Sequence, residues 1–248
     1  MEEYLVTDTV YNDGTYLTNN PTWHEEDSPW KAKQISRILN KNEINTSSIC
    51  EVGCGAGGIL NYLADSYGTD VTFYGYEISP QAFDICRQKE KQNLHFFHKD
   101  LLRENDGFFN VVMAIDVIEH VEDYFDFLRK FRVRGKFHIF HIPLDLSVQT
   151  VLLSNPILKC RTSVGHIHYF TKETALATLK DTGYEVIDSF YTDSIADIPN
   201  VGWKVSPMKW PRKLFFSINQ DLAARVLSGF SLLVLAKSNE QSELTNNS

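Results

Sequence analysis

The sequence predicts an α/β fold: a mostly parallel, seven-stranded sheet with helices on both faces and an antiparallel last strand. Three observations predict it. From Ser48 onward, short apolar runs alternate with helical runs, the pattern of right-handed crossovers between parallel strands. A glycine-rich bend, Gly53-x-Gly55-x-x-Gly58, follows the first apolar run and opens the next helix. The two apolar runs that close the chain can pair as a hairpin-like edge.

Each element has its own signal. Residues 1–27 are polar with scattered aromatics and read as an irregular arm. Ser28 as N-cap and Pro29 at the first helical position start a helix to about Asn40. SSICEV is the first strand, residues 57–67 a helix, VTFYGYE the second strand, and Ser79 to about Lys91 a helix. LHFFHKD is the third strand, FNVVMAID the fourth and most central, VEDYFDFLRKF an amphipathic helix and KFHIFHI the fifth strand. Pro143 breaks the alternation, and residues 144–165 show no clear period, as expected of a lid or insertion. Thr171 caps a helix to about Asp181 that Gly183 ends, and YEVIDSFY is a strand. Residues 193–213 form a second excursion, LFFSINQDLAARVL is helical, and FSLLVLAK is the final strand.

Composition narrows the function classes. The chain has 248 residues, enough for one large α/β domain, and 43% are hydrophobic, enough for a sizeable core. The net charge of -8 argues against a polynucleotide substrate, whose binders carry a basic footprint. The four cysteines lack the paired C-x-x-C spacing of a zinc site and read as reduced thiols. The acidic start has no long apolar run, and the most apolar stretch, near 222–236, is interrupted by Arg225 and Gly229. A cytoplasmic protein without a membrane partner is expected.

The glycine bend carries the strongest chemical signal. Glycines let the backbone turn tightly and let a ligand approach without a Cβ clash, and the following helix offers unpaired N–H groups. Two ligands fit the bend alone, because Glu77 lies where the ribose-binding acid of a dinucleotide site belongs. Glu51, two residues before the first glycine, would repel a pyrophosphate but not a cationic sulfonium with a free amino group. Asp100, at the end of the third strand, can accept from an adenine amino group. Solvated or capping carboxylates remain the plain alternative at all three positions.

Here the chain resembles the class I S-adenosylmethionine-dependent methyltransferases. ICEVGCGAGG is similar to their first motif, FYGYEIS to the second, HKDLL to the third and FNVVMAIDVIEHV to the fourth. HYFTKETALATLKDTGYEVI resembles the sixth-strand region of the type 11 and 23 subfamilies, so the likeness covers roughly residues 45–190. It implies a Rossmann-like sheet and S-adenosylmethionine as cofactor. It implies cofactor-binding roles for Glu51, Gly53, Cys54, Gly55, Glu77, Ile78, Asp100, Leu101 and Asp116, with Gly53 and Gly55 close to the methionine moiety, Glu77 at the ribose hydroxyls and Asp100 near the adenine.

After the fourth strand, Asp116-Val-Ile-Glu119-His120 puts two carboxylates and an imidazole on one face of a turn. Gly165-His166-Ile-His168 supplies further imidazoles before the Thr171 cap. The block resembles the Glu-x-x-Glu-His of ubiquinone-pathway O-methyltransferases and of small-RNA 2′-O-methyltransferases. That likeness implies Asp116, Glu119, His120 and His166 around one divalent ion, Mg²⁺ or Mn²⁺, with Asp116 in place of a glutamate. An ion would lower the pKa of an acceptor hydroxyl. A metal-free base among His120, His166, His168 and His141 is the other chemical reading, and simple packing the third. His138 reads as packing.

Tyr11, Tyr16, Trp23, His24 and Trp30 read either as a lid over the cofactor or as a hydrophobic seal. The stretch from Trp203-Lys204 to Lys213 could grip a phosphate or be solvated. Three segments follow: an arm and helix over the pocket (1–44), a catalytic domain (45–238) whose excursions at about 144–165 and 193–213 form an acceptor lid, and a disordered tail (239–248). The expected activity is O-methylation of a small hydroxylated acceptor, by analogy a sugar or nucleotide sugar of bacterial surface-polysaccharide synthesis. A nicotinamide oxidoreductase, or a cofactor-binding protein without turnover, are the rivals.

Overall fold

The structure, a computed structural model, describes residues 20, 22, 23, 25–104, 107–153, 155–197 and 206–239. The expectations for Tyr11, Tyr16, His24, Trp203, Lys204 and the tail beyond 239 lie outside them.

Seven strands, β1 (Ser48–Val52), β2 (Thr72–Glu77), β3 (Leu94–His98), β4 (Phe109–Ile115), β5 (Gly135–Pro143), β6 (Tyr184–Asp193) and β7 (Phe230–Ser238), make one sheet in the order β3-β2-β1-β4-β5-β7-β6. β1 to β5 pair in parallel. β7 slots between β5 and β6 and runs antiparallel to both, as the fold class predicts. The chain reverses direction across the sheet between β1 and β4. Ligands of open α/β sheets bind at the carboxyl ends of the strands beside such a switch.

One face buries Ile35, Ile38 and Leu39 of α1 (Ser28–Lys41), Leu60 and Leu63 of α2 (Gly58–Tyr67) and Cys86 of α3 (Pro80–Cys86). The other buries Leu128 and Phe131 of α4 (Tyr124–Arg132), Ala175 and Leu179 of α7 (Lys172–Asp181) and Ala223 of α10 (Gln220–Val226). Each fully buried Ile, Leu or Phe contributes roughly 1.5–3 kcal/mol. The apolar spacing of α1, Ala32, Ile35, Ile38 and Leu39, is what turns one helical stripe inward.

Some boundaries differ from expectation. Ser28 is the first residue inside α1 and not its cap: a 3₁₀ turn at Glu25–Asp27 winds directly into the helix, and Asp27 in the cap position makes no side-chain cap bond. α3 stops at Cys86, short of Lys91, and tightens into a 3₁₀ turn at Arg87–Lys89. Its buried positions, Ala82 and Cys86, end there, so continuing the helix would bury nothing more. The aperiodic stretch after Pro143 forms two short helices, α5 (Val148–Leu153) and α6 (Asn155–Ser163). The second excursion contains α8 (Ser194–Asp197) and α9 (Ser206–Ile218), the latter carrying Pro211 within it. Asn219 accepts from Leu222 N–H and so splits the single helix expected there into α9 and α10.

Candidate functional site

The glycine bend leaves β1 under Gly53, whose N–H donates to the Tyr76 carbonyl at 2.8 Å. Gly53 has φ +71, and a Cβ there would stand 3.1 Å from Val117 Cγ2. A side chain would therefore meet both backbone strain and the loop after β4. Trp23 comes within 3.9 Å of where a Cβ on Gly55 would lie, so the leading segment does reach the bend.

Two buried carboxylates flank it. Glu77 accepts from the N–H groups of Gly55 (2.7 Å) and Ser79 (2.8 Å), one on each oxygen. Burial raises its pKa, and those backbone bonds oppose the rise. A carboxylate offers about four lone-pair sites, so Glu77 keeps acceptor capacity. Glu51 is 2% exposed, and its Oε2 has no hydrogen-bond partner among the described residues. Burial pushes its carboxyl up to about 8, although Lys31 pulls the other way, with Glu77 and Asp116 adding to the rise. Cys54 is buried beside them, Leu101 is fully buried and Ile78 is half exposed. Asp100 is turned to its own neighbours: Leu102 N–H donates to it at 2.9 Å, and Arg103 pairs with it at 3.1 Å.

At the end of β4, Asp116 adopts φ +54, a left-handed conformation that aspartate tolerates better than most residues. Lys31 Nζ reaches it at 2.7 Å and His141 Nδ1 at 2.5 Å. Burial would raise the Asp116 pKa, but His141 and Lys31 outweigh it and hold the carboxyl well below its usual range. Burial lowers that of Lys31, yet Asp116, with Asp27 and Glu51, raises it overall, so the pair is ionic. His141 spends its second nitrogen on Thr192 Oγ1 at 2.8 Å.

A second cluster lies beside it. Glu119 is fully buried, and neither of its oxygens has a hydrogen-bond partner among the described residues. Its Oε1 stands 3.9 Å from His120 Nε2 and 4.0 Å from His166 Nε2. Burial, then Asp116 and Asp145, pushes the Glu119 carboxyl well up. His120 is pulled down to about 4 by burial and by His166, against the Gly165 carbonyl at its Nδ1. His166 Nδ1 sits 2.6 Å from Asp145 Oδ2, which fixes the ring with Nε2 toward Glu119. The backbone holds the arrangement, since Ile167 and His168 N–H groups both donate to the Glu119 carbonyl.

The expected four-residue cluster is thus three. Glu119, His120 and His166 have ligand atoms close enough to share one ion, whereas Asp116 is tied to Lys31 and His141 and is not among them. Of the four candidate bases, His141 has both ring nitrogens bonded, to Asp116 and Thr192, while His168 meets the Glu122 carbonyl through Nε2 at 3.1 Å. His138 is fully buried with Nε2 on the Arg132 carbonyl. Burial lowers its pKa to about 4.

The sequence matches the family described as "Methyltransferase domain" over residues 23–189, about two thirds of the chain. The chain belongs to this methyltransferase family. Among curated relatives, the ubiquinone biosynthesis O-methyltransferase of Rickettsia typhi is 34% identical over 92 residues, covering 36% of this chain and 37% of that protein. The norajmaline N-methyltransferase of Rauvolfia serpentina is 27% identical over 107 residues, covering 40% and 36%. The chain therefore spans a little over a third of the length of the curated relatives it matches. The crystal structure of magnesium protoporphyrin IX methyltransferase from Synechocystis PCC 6803 with bound SAH has a TM-score of 0.63 at 15% identity, covering 93% of this chain and 99% of that one. A likeness of that identity shows the fold. Family membership decides between the two ligands that the glycine bend left open, in favour of the methyltransferase reading.

Two residues that partner the candidate site escape sequence reading, Lys31 and Asp145. Lys31 is one basic residue on an amphipathic helix, and Asp145 lies in the aperiodic stretch after Pro143. Only the packing of α1 near the end of β4, and the return of the chain at His166, give them partners.

Proposed function

We propose that the chain is an S-adenosylmethionine-dependent O-methyltransferase for a small hydroxylated acceptor. One observation carries the reading: a buried carboxyl with an oxygen unpartnered among the described residues, Glu51, beside a glycine bend whose Gly53, at φ +71 and close to Val117, admits a side chain only under strain. An incoming ammonium would draw Glu51 into its ionised form and find an acceptor there, whereas a diphosphate would gain no partner charge from it. Glu77 would hold the ribose hydroxyls on its remaining lone pairs, with Gly55 N–H keeping the carboxylate aimed. The cofactor supplies an electrophilic methyl group.

The chain's own residues then orient the acceptor and take its proton. His166 is the best-placed base, because Asp145 fixes the tautomer that leaves Nε2 with its lone pair facing the cluster. Lys31 and His141 keep Asp116 ionised and immobile at the loop bordering Gly53. Holding the hydroxyl in line behind the methyl carbon would supply most of the rate.

Glu119, His120 and His166 also fit a divalent ion. A fully buried carboxyl with two orphaned oxygens and two imidazoles within 4.0 Å is a mixed O/N donor set suited to Mg²⁺ or Mn²⁺. When bound, the ion would acidify the acceptor hydroxyl. For the acceptor we retain a sugar or nucleotide-sugar hydroxyl, an analogy from the family's surface-polysaccharide members.

The test is transfer of labelled methyl from S-adenosylmethionine to free sugars, nucleotide sugars, phenols and amines, with Mn²⁺ or EDTA. Label on a hydroxylated acceptor is expected. Label on amines alone would overturn O-methylation, and equal rates in EDTA would overturn the metal.

A further inference from the structure

The fold exposes apolar residues where a water-facing surface would carry polar ones. In α5, Val148, Val151, Leu152 and Leu153 all face outward, Leu152 at 78% exposure, while only Thr150 is buried. Leu158 of α6 is exposed as well. In α9, Trp210, Leu214 and Ile218 recur every fourth residue and so line one helical face. Trp210 is 83% and Ile218 74% exposed, while Arg212 of the same helix is buried on Asp193. α5 packs on α10 and α10 on α9, and Gln149 accepts from Ser228 N–H, so the two apolar helices border one region. Scattered apolar residues on a surface need no explanation, but an outward stripe beside an outward helix marks an interaction site.

Charge selects the occupant. Residues 148–163 contain Lys159 and Arg161 and no acid, and residues 206–220 contain Lys209, Arg212 and Lys213 and no acid. Arg212 is spent on Asp193, but the remaining cations, on segments that carry no acid of their own in a chain of net charge -8, run against the molecule's own balance. Lys159 and Arg161 are exposed beside the apolar residues, and Lys213, exposed as well, stands 3.9 Å from Asp197. A second copy of this chain would bring like charge to like charge. Apolar side chains with an exposed tryptophan, rimmed by lysine and arginine, suit the headgroup boundary of an anionic bilayer. No described helix is long and apolar enough to cross a membrane, so the contact is with the surface.

We propose that the face formed by α5, α6 and α9 docks on an anionic phospholipid surface. The site lies next to it: Asp145 precedes α5, and His166 follows α6. Docking would bring the Glu119–His166 cluster up to the lipid boundary.

Flotation of the full chain with vesicles tests this. One set would be phosphatidylglycerol mixed with phosphatidylcholine, the other phosphatidylcholine alone. Binding to the anionic set is expected, weakened by high salt, with a blue shift of tryptophan emission that Trp210→Phe reduces. The pair Leu152→Glu and Ile218→Glu should weaken binding roughly tenfold or more without changing the melting temperature, since both residues are exposed. Lys159→Glu with Arg161→Glu should weaken it as well. Absence of binding to anionic vesicles at low salt, or equal binding by the Leu152→Glu, Ile218→Glu variant, overturns the proposal. So does a concentration-dependent dimer that the same variant abolishes, because that assigns the face to a second copy.

Discussion

At Glu51, burial holds a carboxyl protonated at neutral pH, and two measurable slopes follow. The folded value, about 8, stands above the unfolded 4.5. The folded chain therefore keeps a proton that the unfolded chain has lost. The stability contributed is full below about pH 4.5 and is lost as pH rises to about 8. Urea melts of Glu51→Gln should lack this component, so the variant gains on the native chain as pH rises. An incoming ammonium draws Glu51 toward its ionised form. Binding of S-adenosylhomocysteine should therefore release protons and tighten between about pH 6 and about pH 8. Calorimetry in buffers of different ionisation enthalpy reads this directly, and Glu51→Gln should flatten it. The neighbouring cluster gives a second test. Mn²⁺ should raise the melting temperature of the native chain and of Asp116→Asn, but not of Glu119→Gln or His166→Ala, because Asp116 is committed to Lys31 and His141. A response lost in Asp116→Asn alone would restore the four-residue site. Glu51, Gly53 and Glu77 were legible because their spacing around the glycine bend is local. The fate of Asp116 was not, because its partners come from α1 and β5.

Among the elements, α7 shows how local chemistry fixes a site from a distance. Thr171 accepts from Thr174 N–H, and the Thr174 side chain in turn accepts from Thr171 N–H, a reciprocal cap that ends the His166–Phe170 segment. Thr171→Ala should cost about 1 kcal/mol in chemical denaturation. Because the same segment is anchored on the Glu119 carbonyl, the variant should weaken the Mn²⁺ response more than that cost alone explains. An unchanged response would assign the cap to helix stability only. This cap was readable in the sequence as a threonine before a helical run. The cap expected at Ser28 had the same appearance, but Ser28 instead packs against Gly58, its Oγ 2.4 Å from where a Cβ on that glycine would lie. A serine before a proline specifies a helix start only when nothing upstream is already wound. Here the 3₁₀ turn at Glu25–Asp27 is.

For the whole molecule, the pocket reading makes one global prediction. S-adenosylhomocysteine at about a hundred times its dissociation constant should stabilise the fold by about 2.7 kcal/mol, a shift of several degrees in a chain of this size. NAD should produce none, and the reverse outcome would remove the basis for the proposed chemistry. The sequence by itself determined the order of strands and helices, the parallel sheet with its antiparallel close, the glycine bend and its two acids. Those rest on periodicity and on backbone requirements that act over a few residues. Tertiary structure decided which carboxylates pair and which stay orphaned. It separated Asp116 from Glu119, gave His166 its Asp145, and turned the apolar residues of α5 and α9 outward. The physical reason is that burial and Coulomb interaction depend on distances in space, which the packing of α1 and the returning loop sets and no spacing along the chain encodes.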